Sequence, residues 1–143
     1  KDKTILFIEW LPFDEYESAL CEADIGVTFQ PDHIESHFSI RARIISYFWA
    51  HLPTLVSEGD VTAEWVKDFK IGKVVPPGDI GALANALISM LQNSKKEWES
   101  NFKRVDNIFA WQEVLKPLIL YCQSAKYAPD RQARARGARG DGG

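Results

Sequence analysis

Cysteine is scarce in this chain: Cys21 and Cys122 are the only two among 143 residues. Both sit in apolar, helix-like stretches. The expectation is two reduced thiols, on helix faces or in a core, with no disulfide framework. Histidine is almost as rare. His33 and His37 flank Glu35 in a loop-like stretch, an alternation with no fixed coordination geometry, and nothing resembles a zinc ligand set, so no metal is expected. No apolar run approaches the roughly 20 residues needed to span a bilayer. No secretory leader is visible either, since Lys1-Asp2-Lys3 leads straight into a strand-like run. There is no initiator Met, so the chain reads as an excised portion of a larger protein. The expected location is cytoplasmic, with peripheral attachment at a membrane as a variant of it.

What remains is an ordinary globular composition. Hydrophobic residues make up 45% and charged residues 26%, enough apolar content for a buried core and too much for general disorder. The net charge of -3 is unevenly spread. From Lys126 onward, Lys126, Arg131, Arg134, Arg136 and Arg139 outweigh Asp130 and Asp141. Residues 1–125 then carry 12 positive and 18 negative charges. An acidic body argues against nucleic acid as the partner. The chain thus divides into a folded part over 1–125 and an Arg- and Gly-rich tail over 126–143, expected to be disordered.

Short strand-like runs alternate with helical periodicity. Thr4-Ile5-Leu6-Phe7-Ile8 reads as a strand. Pro12 suits a first helical turn, and Asp14, Glu15 and Glu17 favour the positive end of a helix over 13–23, with Tyr16, Ala19, Leu20 and Ala23 at helical spacing. Ile25–Phe29 is the next strand. Ser39 can cap a helix to about Ala50 that buries Ile40, Ile44, Ile45, Phe48 and Trp49. Pro53–Ser57 is a strand, Gly59-Asp60 opens a short helix through Val66, Gly72 ends a turn, and Val74-Val75 is a strand. Asp79 caps a helix whose apolar face is Ile80, Leu83, Ala84, Leu87, Ile88 and Leu91. Ser94 and Glu97 form a capping box. A last helix spans about Ala110–Ser124, with a kink at Pro117. Such alternation specifies an α/β fold, a Rossmann-like parallel sheet flanked by helices. Ligands of such sheets bind beyond the carboxyl ends of the strands.

The loop after Phe29 holds the densest polar chemistry. A helix starting near Ser39 presents unpaired amides and a positive dipole end, suited to phosphate. Arg41 and Arg43 add charge beside it, and guanidinium matches phosphate oxygens two at a time. Glu35 offers a carboxylate that accepts from hydroxyls. Together these suit a sugar phosphate or nucleotide sugar. The residues alone also allow a plainer reading, in which Ser39 only caps a helix and the arginines pair with nearby acids. His51 reads as a packing or cap residue.

The order Trp10-Leu11-Pro12-Phe13-Asp14-Glu15-Tyr16, then Ala23-Asp24-Ile25-Gly26-Val27, resembles the C-terminal half of group 1 retaining GT-B glycosyltransferases. The stretch Ser39-Ile40-Arg41-Ala42-Arg43-Ile44-Ile45-Ser46-Tyr47-Phe48-Trp49-Ala50-His51-Leu52-Pro53 looks like the variant S-x-R-x-R-x-x-D-Y-x-W-A-G-L-P. Ile71-Gly72-Lys73-Val74-Val75-Pro76-Pro77-Gly78-Asp79 looks like the family's G-x-l-v-p-p-g-D. The resemblance covers residues 4 to about 124 and rests on order and spacing rather than on one motif.

The resemblance implies a GT-B C-terminal domain, in part, whose parent enzyme moves a sugar from a nucleotide-sugar donor to an acceptor with retention and without a metal or other cofactor. It makes Glu35 the catalytic-site carboxylate on the donor sugar's hydroxyls. Ser39, Ile40 and Arg41 would face the diphosphate, Arg43 would stand beside them, and Ser46 would lie near the ribose. Glu58-Gly59-Asp60 would border the same crevice. Two departures stand out. Ser46 replaces the family's second acid, and His51 a glycine. The family's first two strand–helix units, which carry its basic clamp, have no counterpart here. The remaining sheet is therefore expected to rearrange, with the Ile5–Ile8 and Ile25–Phe29 strands adjacent, or to pair with a second chain as a homo-oligomer. Trp111, Val114, Leu115, Leu118, Ile119 and Tyr121 would pack on the enzyme's N-terminal domain, or on this one. The fragment alone would be inactive. The alternatives are a non-catalytic relative used for binding or assembly, and a nucleotide-sugar epimerase.

Overall fold

The computed structural model describes residues 5, 7–94 and 96–124. In order these form α1 (Phe13–Glu22), β1 (Gly26–Thr28), α2 (Ile34–Phe38), α3 (Ala42–Trp49), β2 (Thr54–Ser57), α4 (Val61–Phe69), β3 (Gly72–Val75), α5 (Ile80–Gln92), α6 (Lys96–Phe109), α7 (Trp111–Val114) and α8 (Lys116–Ser124). The chain divides into two units, Lys1–Ile108 and Phe109–Gly143.

The first unit is built on a parallel sheet in the order β1-β2-β3. All four residues of β2 are buried, as expected of a central parallel strand covered on both faces. Alternation along the strands sorts the two faces. Leu55 and Val75 pack on Ala86 and Met90 of α5, with Ile25, Phe29, Ala82, Leu83 and Leu87 around them. The opposite face carries α3 and α4, which meet through the rings of Phe48 and Trp65, 6.5 Å apart. There the Tyr47 ring lies on Gly26, where a Cβ would come within 2.6 Å of it. Glycine at 26 is thus a packing requirement. The expected α/β class, a Rossmann-like parallel sheet flanked by helices, is the observed one.

Local chemistry sets the element ends. Asp60 accepts from Ala63 N at 2.8 Å and caps α4; Asp79 accepts from Ala82 N at 2.8 Å and caps α5. His51, just past the end of α3, takes a left-handed backbone with φ +49°. Its ring stacks on Phe102 of α6 at 5.2 Å, and its Nε2 lies 2.9 Å from Asp106 Oδ1. Asn101 of α6 donates to the Lys70 carbonyl at the end of α4. Phe102 and Val105 are the buried residues of α6.

Several sequence expectations need correction. Ile5, Phe7 and Ile8 are not in a strand, and all three are exposed; Thr4 and Leu6 lie outside the described residues. A strand needs a neighbour for its backbone groups, and among the described residues β1 pairs with β2 alone. The expected adjacency of the Ile5–Ile8 and Ile25–Phe29 strands is therefore not found. Gly72 opens β3 rather than ending a turn. The helix expected from Ser39 starts at Ala42, so Ile40 falls outside it and is 60% exposed. Ile45 and Trp49 are exposed as well, and Tyr47 is buried in their place. In α5, Ile80, Ile88 and Leu91 are exposed. That helix is apolar nearly all round, so periodicity could not orient it; the sheet takes the stripe where the small Ala82 and Ala86 permit close approach.

Ser94 Oγ accepts from Lys96 N at 3.3 Å, ahead of α6. Cys21 and Cys122 are free and exposed. In the second unit, the single kinked helix expected over Ala110–Ser124 is two helices broken at Leu115. Pro117 sits in the first turn of α8, where its missing N–H costs no helical bond. No residue of α7 or α8 is buried. The tail over 126–143 lies outside the described residues. Among the described residues no helix is long and apolar enough to cross a membrane.

Candidate functional site

A cleft of about 780 Å³ opens beyond the carboxyl end of β1. It is lined by Thr28, Phe29, Gln30, Pro31, His33, Glu35, Ser36, Ser39, Ile40, Arg41, Ala42 and Arg43. Its floor is the end of the sheet, and its walls are α2 with its flanking loops and the start of α3. The position is the one that open parallel sheets reserve for ligands. Five of the six residues singled out from sequence, Glu35, Ser39, Ile40, Arg41 and Arg43, line this cleft. Ser46 does not; it is half-buried one turn further along α3.

The wall formed by α2 is held by short-range contacts. His33 Nδ1 accepts from Glu35 N at 3.2 Å, Ser36 Oγ donates to the Pro31 carbonyl, and His37 Nε2 lies 3.0 Å from Asp32 Oδ1. The two histidines weighed as metal ligands thus serve the loop itself. Among the described residues no three His, Cys, Asp or Glu side chains converge on one point. Glu35 is exposed at the cleft. Ser39 ends α2 instead of starting the next helix, and its Oγ lies 3.4 Å from the Ser36 carbonyl.

The phosphate-suited helix start is therefore that of α3, three residues later than expected. No side chain caps it, and Arg41, Ala42 and Arg43 at its start line the cleft, which lies at the positive end of the helix dipole. Arg43, exposed in the first turn, adds a formal charge. It also stands beside Tyr47, whose phenol burial pushes above its ordinary 10.0; the Arg43 charge draws it back down and Tyr16 pushes it up.

Arg41 has a different setting from Arg43. It is buried, 5% exposed, and its guanidinium reaches down to the sheet. Nη1 donates to the Thr28 carbonyl at 3.3 Å and Nη2 to the Ser57 carbonyl at 2.9 Å. Nε forms an ion pair with Asp60 Oδ2. That contact is close but lacks hydrogen-bond alignment. Arg41 thereby joins the carboxyl ends of β1 and β2. Ser57 adds a second tie, since its Oγ accepts from Gln30 N at 3.0 Å and donates to Gln30 O at 3.1 Å.

Sequence reasoning missed Gln30 and Ser57. The strand expected over Ile25–Phe29 leaves Gln30 just past its end, but pairing across 27 residues carries no local signal. The Gln30 Oε1 atom is buried with no hydrogen-bond partner among the described residues. A second cleft, of about 570 Å³, runs along α4 and β3 and is lined by His37, Glu58, Gly59, Asp60, Ala63, Glu64, Lys67, Lys70, Gly72 and Val74. Glu58, Gly59 and Asp60 thus line this other cleft, not the one beside Glu35.

Compared with known protein families, with curated proteins and with solved structures, the chain shows no match.

Proposed function

We propose that the chain is the nucleotide-sugar-binding part of a retaining glycosyltransferase of the GT-B kind. In this reading the cleft takes the diphosphate of the donor at the uncapped start of α3. Arg43 supplies the charge, the Ser39-Ile40 backbone and Arg41 border the phosphates, and Glu35 accepts from sugar hydroxyls. Ser46, one turn further along α3 and outside the cleft, takes no part in holding the donor. The leaving diphosphate is stabilised by oriented amides and charge, with no metal required. The N-terminal domain of the enzyme brings the acceptor, so this part alone binds the donor and transfers nothing.

The observation that carries the reading is the convergence of Glu35, Ser39, Ile40 and Arg43 around an uncapped helix start at the carboxyl end of a parallel sheet. The test is calorimetric titration of the chain with UDP, GDP and ADP, repeated with Arg43→Ala and Glu35→Gln. Arg43→Ala should weaken nucleotide binding at least tenfold with little change in unfolding. Glu35→Gln should weaken a nucleotide sugar and leave the free nucleotide unchanged. No binding of any of the three nucleotides by the native chain would sink the reading.

One observation favours a second reading, a relative that binds without turnover. Ser46, in the place of the family's second acid, does not line the cleft. The full-length protein with a nucleotide-sugar panel separates the two: transfer or donor hydrolysis supports the enzyme, and binding alone supports the relative.

A further inference from the structure

Asp60 looks at first like a simple helix cap. Its Oδ1 accepts from Ala63 N at 2.8 Å and from Thr62 Oγ1 at 2.7 Å, which anchors the start of α4. Its other oxygen does different work. Oδ2 meets Arg41 Nε in an ion pair between side chains only 2% and 0% exposed. Through Arg41 that charge reaches the Thr28 carbonyl at the end of β1 and the Ser57 carbonyl at the end of β2. The Arg41 backbone is the residue immediately before α3, and its carbonyl accepts from Ile44 N at 2.9 Å. One carboxylate, acting through one guanidinium, therefore connects two strand ends and two helix starts. The Asp60–Arg41 contact lacks hydrogen-bond alignment, so it acts through charge and close fit. A neutral side chain of the same shape keeps the cap and loses the tie.

We propose that Asp60 is the positioning residue of the cleft. It touches no ligand. By holding Arg41 down on the sheet, it orients Ile40–Arg43 so that the first amides of α3 and the Arg43 side chain point at an anionic ligand. The identity of that ligand rests on the nucleotide reading above; the positional role does not. The pair spans two clefts, because Asp60 lines the one along α4 and Arg41 the one beyond β1.

The test uses amide hydrogen exchange and nucleotide affinity on the chain in three forms: native, Asp60→Asn, and Arg41→Met with Asp60→Asn. Asparagine retains a cap oxygen for Ala63 N but removes the charge. Exchange at Ile44 and Gln30 should accelerate at least tenfold in Asp60→Asn, with Ala63 and Met90 within twofold of native. Affinity for UDP, GDP or ADP, whichever binds, should fall at least tenfold. The double variant leaves neither charge buried alone, so its urea midpoint should lie above that of Arg41→Ala, in which Asp60 stays charged and unpaired. It should regain neither slow exchange at Ile44 and Gln30 nor affinity. Native exchange at Ile44 in the double variant would overturn the proposal, because the pair would then serve stability alone. So would equal acceleration at Met90 and Ile44 in Asp60→Asn. If Asp60→Asn does not fold, Ile44 exchange in the double variant decides by itself. If the native chain binds no nucleoside diphosphate, the ligand reading fails while the exchange data still judge the positioning role.

Discussion

At Gly26 a single hydrogen decides the packing of α3. A Cβ there would meet the Tyr47 ring at 2.6 Å, and Gly26 is paired in register with Thr54. Gly26→Ala should destabilise the chain by about 1–3 kcal/mol, the usual cost of overpacking, seen as a lower urea midpoint. Tyr47 itself predicts a pH dependence. Burial raises its pKa above the ordinary 10.0, so the folded state holds the phenolic proton more tightly than the unfolded chain. Its contribution is intact below pH 10 and is lost as pH climbs through the folded pKa. Tyr47→Phe should remove that part of the alkaline loss, as measured by urea titrations on either side of pH 10. Arg41→Ala should now behave differently from what a phosphate ligand predicts. It leaves Asp60 buried without its partner, at a cost of about 3–5 kcal/mol, so stability and nucleotide affinity should fall together. His51 is a milder case. Its left-handed backbone explains why a glycine suits that position in the sequence pattern it resembles. His51→Gly should be more stable than His51→Ala, since both lose the Phe102 stack and only alanine keeps the backbone strain.

At the scale of elements, ties between strand ends matter more than the strands' own lengths. β1 has three residues, and its carboxyl end is held by Ser57 and Arg41. Ser57→Ala should cost about 1–3 kcal/mol, since Gln30 N and O lose a part-buried partner; denaturant unfolding measures it. The cap at Asp79 and the opening of a helix at Gly59-Asp60 were legible in sequence because such signals are written within a few residues. The start of α3 was not. Ser39 is a good cap by type, yet the chain turns once as α2 and begins again at Ala42. What fixes that start is Arg41 reaching Thr28 and Ser57, contacts 13 and 16 residues distant. The direction of a long side chain toward the sheet has no local signature. The same holds for α5, where an apolar run legible as helix did not reveal which stripe faced Leu55. Leu115 and Pro117 give the converse case: a proline was legible as a disturbance, and the structure shows a full break.

At the scale of the whole molecule, the first unit is a small α/β fold whose parallel sheet is legible from alternation alone. Among the described residues the sheet is three strands wide, and β1 and β3 each pair only with β2. Unpaired parallel edges invite a further strand. Light scattering at increasing concentration should therefore show self-association of the isolated chain, and a monomer at all concentrations would count against edge pairing. The cleft was legible in outline: five residues chosen from sequence line it, while the division of labour between Arg41 and Arg43 needed the fold. In the proposed reading this cleft, and not the one along α4, holds a nucleoside diphosphate. Amide chemical-shift mapping during titration with UDP, GDP and ADP tests it most directly. Saturable shifts should appear at Gln30, Ser39, Ile40, Ala42 and Arg43, with Glu64, Lys67 and Lys70 unmoved. Shifts confined to the α4 residues, or none with any of the three nucleotides, would contradict it.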